Sequence, residues 1–224
     1  MERVICLVIG YVLGLFQTGY IYGKMKGIDI RDYGSGNAGT TNTLRVLGTK
    51  AGLIVFAGDC LKCMAAIGIT YLLFHTGHPD QLYLLKLYAA AGAILGHNFP
   101  FYLNFKGGKG IAATAGLILS FHPWFIPVGV ILFFGAFLTT HYVSLGSLLV
   151  YLGFMIELIV FGQKGLLGMT QPELYEAYIL GALLMAMAYY KHRANIVRLL
   201  QGNERKTYLF KKNEGAEKGS ETKM

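Results

Sequence analysis

The sequence has few charged residues for its length. Only 14% of its 224 residues are charged, whereas 54% are hydrophobic, and its mean hydropathy is +0.47. A single soluble domain does not carry so apolar a composition, because it needs more polar side chains to cover its surface. The shortage of charge therefore excludes an ordinary soluble domain and indicates an integral membrane protein.

Cysteine is scarce as well. The three cysteines are too few for a disulfide framework. Cys60 and Cys63 form a C-x-x-C, but the pair lies inside an apolar stretch and no second pair of ligands accompanies it. We interpret both as small helix-packing residues, and the sequence predicts neither a metal site nor a redox site.

The hydrophobic residues form runs of membrane-helix length, which is roughly 17–25 residues. They lack the period-2 alternation of a membrane barrel. No A-x-A cleavage site follows the first run before Lys24, so we interpret that run as a retained helix rather than a signal peptide. The sequence predicts an all-α bundle of about seven transmembrane helices, with five or six as the alternative: Val4–Ile21, Leu53–Phe74, Leu82–Leu95, Ile111–Phe121, Phe125–Thr139, Leu145–Phe161 and Leu174–Tyr190.

The distribution of Lys and Arg predicts the topology. Of the 20 basic residues, five lie in the first loop, two in the third connection and nine after the last run. Since basic loops stay in the cytoplasm, we expect the N-terminus outside and the C-terminus inside. The net charge of +8 then reflects topology and attraction to membrane lipid rather than a nucleic-acid partner. We expect residues 1–202 to form one membrane domain and residues 203–224 a polar, partly disordered cytoplasmic tail.

Four polar clusters share the predicted cytoplasmic side. They are GSGNAGTTNTLR (Gly34–Arg45), GHNFPFYLNFKGGKG (Gly96–Gly110), HYVSLGS (His141–Ser147) and KHRANIVRLL (Lys191–Leu200). Glycines allow a close backbone approach, and N–H groups at a helix N-terminus bind phosphate oxygens. Arginine and lysine within the clusters add positive charge. The clusters predict an anion-binding active site at the cytoplasmic face.

Two segments resemble nucleotide-binding motifs, but their surroundings or their residues do not match those motifs. The G-x-G-x-x-G of Gly34–Gly39 follows a predicted membrane helix, whereas the dinucleotide fingerprint must follow a strand. Residues 105–110 resemble a phosphate loop but lack its first glycine and the Ser or Thr after the lysine. Neither segment is therefore interpreted as a nucleotide site.

Other polar groups leave alternatives open. His97 is either a pocket residue or the polar end of a helix. Asp59 and Lys62, three residues apart, are interpreted as an internal pair that forms a wall of the site. His75 and Asp80 have the H-x4-D spacing of acyl-CoA-dependent acyltransferases, but the predicted topology places them on the outer side. We interpret that pair as a polar hairpin.

The ordered set GSGNAGTTN-x-x-R, GHNFP…FKGGKG and HRANIVRLL resembles the signature segments of the bacterial acyl-phosphate:glycerol-3-phosphate acyltransferases, the PlsY family. The resemblance runs from about Val4 to Gly202, and Thr40 departs from it where alanine is expected. It implies transfer of a fatty acyl group from acyl phosphate to the 1-hydroxyl of glycerol 3-phosphate, which yields lysophosphatidic acid and phosphate for phospholipid biosynthesis. It also implies the bacterial cytoplasmic (inner) membrane, no cofactor, and an upstream enzyme that supplies acyl phosphate.

The resemblance assigns roles to residues of all four clusters. The residues implied in acyl-phosphate binding are Ser35, Gly36, Asn37, Thr41, Asn42, Gly107, Gly108 and Lys109. Those implied in glycerol 3-phosphate binding are Arg45, Lys109, Ser147, His192 and Asn195, with Ser144 as the alternative to Ser147. Those implied in catalysis are Lys109, His192 and Ser35.

The sequence offers no convincing Ser-His-Asp set and no cysteine nucleophile. Because an acyl phosphate is already activated, we expect direct attack by the glycerol hydroxyl without an acyl-enzyme. A phosphate oxygen of the donor takes the proton in this interpretation, and His192 is the alternative base. Two other functions are weighed: a transporter of a phosphorylated solute, which the one-sided polar clusters disfavour, and an acyl-CoA-dependent acyltransferase.

Overall fold

The structure is a computed structural model, and it describes residues 1–209 of the 224. Within that range the chain forms α-helices joined by turns and three short 3-10 segments, with no β-strand. The helices are α1 (Glu2–Gly14), α2 (Thr18–Met25), α3 (Thr40–Leu47), α4 (Thr49–Phe74), α5 (Leu82–Asn98), α6 (Ile111–Phe121), α7 (Phe125–Thr140), α8 (Val143–Gln163), α9 (Gln171–Lys191) and α10 (Arg193–Leu200). The all-helical prediction is confirmed for these residues.

Each apolar run predicted from the sequence coincides with helical structure. Three regions are long and apolar enough to cross a membrane, namely Glu2–Met25, Thr49–Phe74 and Val143–Gln163, while Ile111–Phe121 and Phe125–Thr140 are shorter apolar helices. The number of helices that cross the membrane and the sides of the termini stay predictions. The expected disorder at the end of the tail concerns residues beyond 209, outside the described range.

The first candidate span consists of two helices rather than one. Gln17 lies between α1 and α2 and is fully buried. Its amide nitrogen donates to the carbonyls of Gly14, Gly96 and His97 at 3.1–3.2 Å. A buried amide needs such partners, and these three are all backbone groups at helix ends. The break therefore joins the end of α1 to the end of α5.

Small residues let α1 and α5 pack with their backbones in contact. A Cβ added to Gly10 or Gly14 would collide with the backbone of Ala89 or Ala93, and one added to Gly92 would collide with α1. Close approach of this kind is how apolar helices associate when lipid removes the hydrophobic drive between them. The tight α1–α5 pair places the end of α5, with its polar residues, beside the break in the first span.

Large hydrophobic side chains cover much of the outer surface. Residues such as Val12, Leu72, Ile131, Leu138 and Leu183 are each at least 60% exposed. A water-soluble protein does not present so many large apolar side chains around its circumference, whereas lipid accommodates them. The chain is an integral membrane protein.

Candidate active site

Polar residues from distant parts of the chain meet at one end of the bundle. The contributing elements are α3, the loop before α6, the start of α8, the end of α9, α10 and residues 203–209. Of the residues singled out in the sequence, Arg45, Lys109, Ser144 and Asn195 meet here through hydrogen bonds to one another or to residues 203–209.

Glu204 accepts hydrogen bonds from three side chains of this group. One carboxylate oxygen accepts from the Asn195 amide at 2.7 Å and from the Ser144 hydroxyl at 3.1 Å. The other accepts from Nε of Arg198 at 2.8 Å. The side chain is only 3% exposed, so these hydrogen bonds form in a desolvated environment where charge-assisted bonds are strong. Glu204 thus ties α8 and α10 together.

Lys109 reaches the same group from the loop before α6. Its ammonium donates to the amide oxygen of Asn195 at 2.5 Å. Burial lowers the pKa of Lys109 to about 8, with Glu204 opposing the shift and the positive charges of Arg198 and Arg45 adding to it. Three cations therefore surround one carboxylate, and the excess positive charge favours an anionic ligand.

Arg45 projects from α3 onto the C-terminal segment. One of its terminal nitrogens donates to the Thr207 hydroxyl at 2.6 Å and to the Arg205 carbonyl at 3.1 Å. Its Nε is buried and has no acceptor within residues 1–209. Burial lowers the pKa of Arg45, but a guanidinium stays charged throughout the physiological range. An unused buried donor beside other cations is suited to a phosphate oxygen.

His192 lies where α9 ends, and it is 3% exposed. Its Nδ1 donates to the Ala188 carbonyl at 2.8 Å, because a carbonyl can only accept. Burial lowers the pKa of His192 to about 4, and the charge of Lys109 adds to the shift. The ring is therefore neutral at pH 7, with the lone pair of Nε2 available as an acceptor.

The first cluster is organised by Asn42. Its amide oxygen accepts from the backbone N–H and the hydroxyl of Ser35 at 2.7 and 3.1 Å, and its amide nitrogen donates to the Ile30 and Tyr33 carbonyls at 3.0 Å. Asn42 is buried, so all of its hydrogen-bonding capacity holds the loop. Ser35 itself is exposed and stands at the loop surface.

The other residues of this cluster shape the loop around Ser35. The Asn37 side chain accepts the Gly39 N–H at 3.0 Å, and Gly36 has a positive φ of 70° that favours glycine. Thr41 is half-buried at the start of α3, whereas the Thr40 hydroxyl is buried without a partner among the described residues. No direct hydrogen bond joins Ser35, Asn37 or Thr41 to Lys109 within residues 1–209. The first cluster and the group around Lys109 are linked by α3, which carries Arg45.

The glycines before Lys109 fit closely against the end of α5. The N–H of Gly107 donates to the Asn98 carbonyl at 3.3 Å, and that of Gly108 donates to the His97 carbonyl at 3.0 Å. A Cβ on either glycine would collide with these residues. The loop leads into α6, whose first-turn N–H groups have no acceptors inside the helix.

Three groups singled out in the sequence lie apart from these hydrogen bonds. Ser147 is buried, and its hydroxyl donates to the Val143 carbonyl at 2.7 Å within α8. His75 bonds locally to the Tyr71 carbonyl, and no hydrogen bond joins it to Asp80 in the described part of the chain. The free thiols of Cys60 and Cys63 are buried in α4.

Sequence reasoning did not identify Glu204 or Arg198 as part of the site. A signal existed, since Glu204 is an acid next to Arg205 and Lys206 in a basic stretch. The pair Asp59 and Lys62 does form a buried contact at 2.9 Å. His97 is buried in the last turn of α5, and its ring nitrogen lies 2.8 Å from the Lys62 ammonium.

A model of the family described as glycerol-3-phosphate acyltransferase matches residues 4–202. Among curated proteins, the glycerol-3-phosphate acyltransferase of Bacillus velezensis is 38% identical over 205 residues, covering 91% of this chain and 97% of the relative. The glycerol-3-phosphate acyltransferase of Thermoanaerobacter sp. strain X514 is 38% identical over 208 residues, covering 92% and 96%.

Two solved structures are similar to this fold. The crystal structure of PlsY (YgiH), an integral membrane glycerol 3-phosphate acyltransferase, in its glycerol 3-phosphate form has a TM-score of 0.79 and 30% identity, covering 94% of this chain and all of that one. The lysophosphatidic acid form has a TM-score of 0.76 at 30% identity, covering 92% and 95%. The likeness thus extends over nearly the whole chain.

Proposed function

Because this chain belongs to the glycerol-3-phosphate acyltransferase family and is an acyltransferase, we propose that it transfers a fatty acyl group from acyl phosphate to the 1-hydroxyl of glycerol 3-phosphate. The products are lysophosphatidic acid and inorganic phosphate. The acceptor and product are the molecules named for the two forms of the similar solved structure. The acylation of glycerol 3-phosphate belongs to phospholipid synthesis.

The excess of positive charge around Lys109 supports the proposal most directly. Lys109, Arg45 and Arg198 are offset by the single carboxylate of Glu204. Both proposed substrates carry phosphate, so an excess of positive charge suits either of them. In this proposal Arg45, Ser144, Ser147, His192 and Asn195 bind glycerol 3-phosphate, and Lys109 contacts both phosphates.

The acyl-phosphate half is formed by the first cluster and the loop before α6. Ser35, Gly36, Asn37 and Thr41 contact the donor, while Asn42 holds their loop through its four hydrogen bonds. Gly107 and Gly108 contribute shape, since their N–H groups are already bonded to α5. The N–H groups at the start of α6 then remain as donors to the phosphate.

The reaction proceeds by direct transfer. The glycerol hydroxyl oxygen attacks the carbonyl carbon of acyl phosphate, the new ester C–O bond forms, and the bond between that carbon and the phosphate oxygen breaks. A phosphate oxygen of the donor takes the hydroxyl proton and leaves with it as inorganic phosphate. Lys109 and Ser35 stabilise the charge that develops on the donor, so no enzyme nucleophile is required.

His192 is the side chain that competes with the donor phosphate as base. Its neutral ring offers Nε2, and its pKa of about 4 makes it a weak base. In a His192→Ala variant, substrate-assisted transfer predicts a raised KM for glycerol 3-phosphate with most of kcat retained. A collapse of kcat at unchanged KM would assign the proton to His192 instead.

The proposed setting is the bacterial cytoplasmic membrane, with seven transmembrane helices and the active site facing the cytoplasm. The Lys and Arg distribution supports this orientation, with the N-terminus outside and the C-terminus inside. In this proposal residues 1–202 form the acyltransferase domain, and the start of the tail, residues 203–209, packs into its site. An enzyme that makes acyl phosphate is the upstream partner.

The proposed reaction is tested by comparing two acyl donors. Purified protein in detergent receives glycerol 3-phosphate with either acyl phosphate or acyl-CoA, and lysophosphatidic acid is measured. We expect product from acyl phosphate alone, with release of one phosphate per turnover. Lysophosphatidic acid formed only from acyl-CoA would overturn the proposed donor while leaving the acceptor intact.

A further inference from the structure

A buried ion pair contacts His97, the residue against which the loop that carries Lys109 packs. The Lys62 ammonium donates to the Asp59 carboxylate at 2.9 Å, to the Phe16 carbonyl at 2.6 Å and to Nδ1 of His97 at 2.8 Å. An ammonium can only donate, so Nδ1 of His97 accepts and the neutral ring carries its proton on Nε2. Lys62, Asp59 and His97 are each at most 6% exposed. We call these three residues the ion-pair network.

The ion-pair network adds polar contacts between segments that also pack against one another. Lys62 and Asp59 belong to α4, His97 to the end of α5, and Phe16 to the break in the first span. The Thr18 hydroxyl of α2 adds a bond to the Asp59 carboxylate at 3.0 Å. The ring of His97 at the end of α5 is therefore linked, through Lys62 and Asp59 of α4, to Phe16 and Thr18.

His97 connects the ion-pair network to residues 107–110, the GGKG loop. Its carbonyl accepts the N–H of Gly108 at 3.0 Å, and a Cβ on Gly108 would collide with its Nε2. The backbone and the ring of one residue thus contact the loop immediately before Lys109. The His97 ring therefore packs against Gly108 so closely that no side chain fits at that position.

Stability alone does not account for charges at this position. A buried ion pair contributes little net stability, and apolar side chains of similar volume serve a core as well or better. Paired buried charges do fix geometry, since each partner is held at a short distance and in a set direction. In this structure the fixed geometry reaches the loop through His97, which bonds to the ion pair on one side and contacts Gly108 on the other.

We propose that Asp59, Lys62 and His97 are positioning residues that hold the GGKG loop, and through it Lys109, in the arrangement that binds the phosphate of the acyl donor. The inference rests on the proposed function for the identity of the donor. Its structural part, that the ion-pair network fixes the loop, stands on the contacts alone.

The test removes both charges together. A single substitution would leave the other charge buried and unpaired and could prevent folding, so we choose the double variant Asp59→Asn/Lys62→Met, which keeps the volume. Amide hydrogen exchange at Gly107 and Gly108 should become about tenfold faster or more, because their acceptors on α5 are no longer held. With acyl phosphate, kcat/KM should fall about tenfold or more, while the KM for glycerol 3-phosphate changes by less than about twofold.

A matched control is available at the opposite ends of α5 and α9. Arg3 forms a two-point ion pair with Glu176 at 2.6 and 2.9 Å, and Tyr88 of α5 donates to Glu176. The double variant Arg3→Met/Glu176→Gln removes an ion pair that is about one-third exposed and lies far from the GGKG loop. It should leave exchange at Gly107 and Gly108 and the KM for acyl phosphate unchanged even where its thermal midpoint drops.

Equal loop exchange in the two double variants would overturn the inference, as would unchanged exchange in Asp59→Asn/Lys62→Met. A loss of activity that follows the thermal midpoint in both variants would also overturn it, because that pattern marks a purely structural role. The exchange measurement needs no substrate. If the wild-type protein failed to use acyl phosphate, the donor assignment would fall, while the loop measurement would still decide the positioning role.

Discussion

Two lysines near the same end of the bundle, Lys62 buried and Lys109 half-buried, differ in how many partners they have. Lys62 is 6% exposed and donates to three acceptors, one for each proton of its ammonium. Lys109 has one acceptor among the described residues, the Asn195 amide oxygen, and other cations lie near it. An ammonium whose donors are all used holds structure, whereas one with unused donors is ready for a ligand. The difference separates the supporting residues from those that bind substrate.

Removing the charge of Lys109 should have the largest effect on activity. We expect Lys109→Met to lower kcat/KM by about 10²- to 10³-fold, the usual loss for one group that stabilises developing charge. The thermal midpoint in detergent should stay near that of the wild type, since Lys109 makes a single hydrogen bond in the described structure. A variant that lost its fold along with its activity would contradict the comparison with Lys62.

The same substitution at Lys62 should act on folding first. Lys62→Met leaves the Asp59 carboxylate buried with the Thr18 hydroxyl as its remaining hydrogen-bond donor among the described residues. Breaking a buried pair in this way costs about 3–5 kcal/mol of unfolding free energy. Thermal unfolding followed by circular dichroism in detergent measures it, with Asp59→Asn/Lys62→Met expected to recover part of the loss. No recovery in that double variant would show that the charge itself, rather than its pairing, stabilises the bundle.

The pH dependence of the reaction tests the role of the Lys109 charge. The pKa of Lys109 is lowered to about 8, so the group is an ammonium below that pH and loses its charge above it. Phosphate binding is therefore present below pH 8, and kcat/KM should fall about tenfold per pH unit above it. His192, with a pKa of about 4, does not titrate in this window. In Lys109→Arg the falling limb should disappear, because a guanidinium keeps its charge.

The composition and spacing of the sequence predicted much of the arrangement. The distribution of basic residues predicted one shared side for the four clusters, which stays a prediction, whereas Arg45, Lys109, Ser144 and Asn195 do meet through direct bonds or shared partners at one end of the bundle. The helices were predictable because long apolar runs leave few other structures open to the chain.

The residues that hold the clusters in place were not predictable. Glu204 and Gln17 bond to groups that are far away in the sequence, and no local periodicity reveals such partners. The same holds for the contact of His97 with the GGKG loop, which depends on how α5 ends and where the loop returns. Tertiary contacts of polar side chains are the part of a fold that a single sequence leaves most open.

Substitutions at the two ends of the first cluster should raise the KM for different substrates, and the effect should be smaller than that of Lys109→Met. Ser35 lies on the loop and Arg45 on α3, where it contacts the tail near Glu204. We expect Ser35→Ala to raise the KM for acyl phosphate and Arg45→Ala to raise the KM for glycerol 3-phosphate, each by roughly 10- to 100-fold. Steady-state kinetics with one substrate varied at a time measures both. The reverse pattern would show that the two ends bind the opposite substrates.

The smallest effect is expected at the hairpin between α4 and α5. His75 bonds to the Tyr71 carbonyl and stacks on the Tyr71 ring with centroids 4.8 Å apart, so its ring is fixed by its own helix rather than by Asp80. His75→Ala and Asp80→Asn should each change kcat/KM by less than about twofold, since a general base without its orienting carboxylate has no catalytic geometry here. The assay with acyl phosphate is repeated with acyl-CoA for both variants. A large loss with acyl-CoA in either variant would place chemistry at this hairpin and remove the contrast between a site built from distant segments and a hairpin held by local bonds.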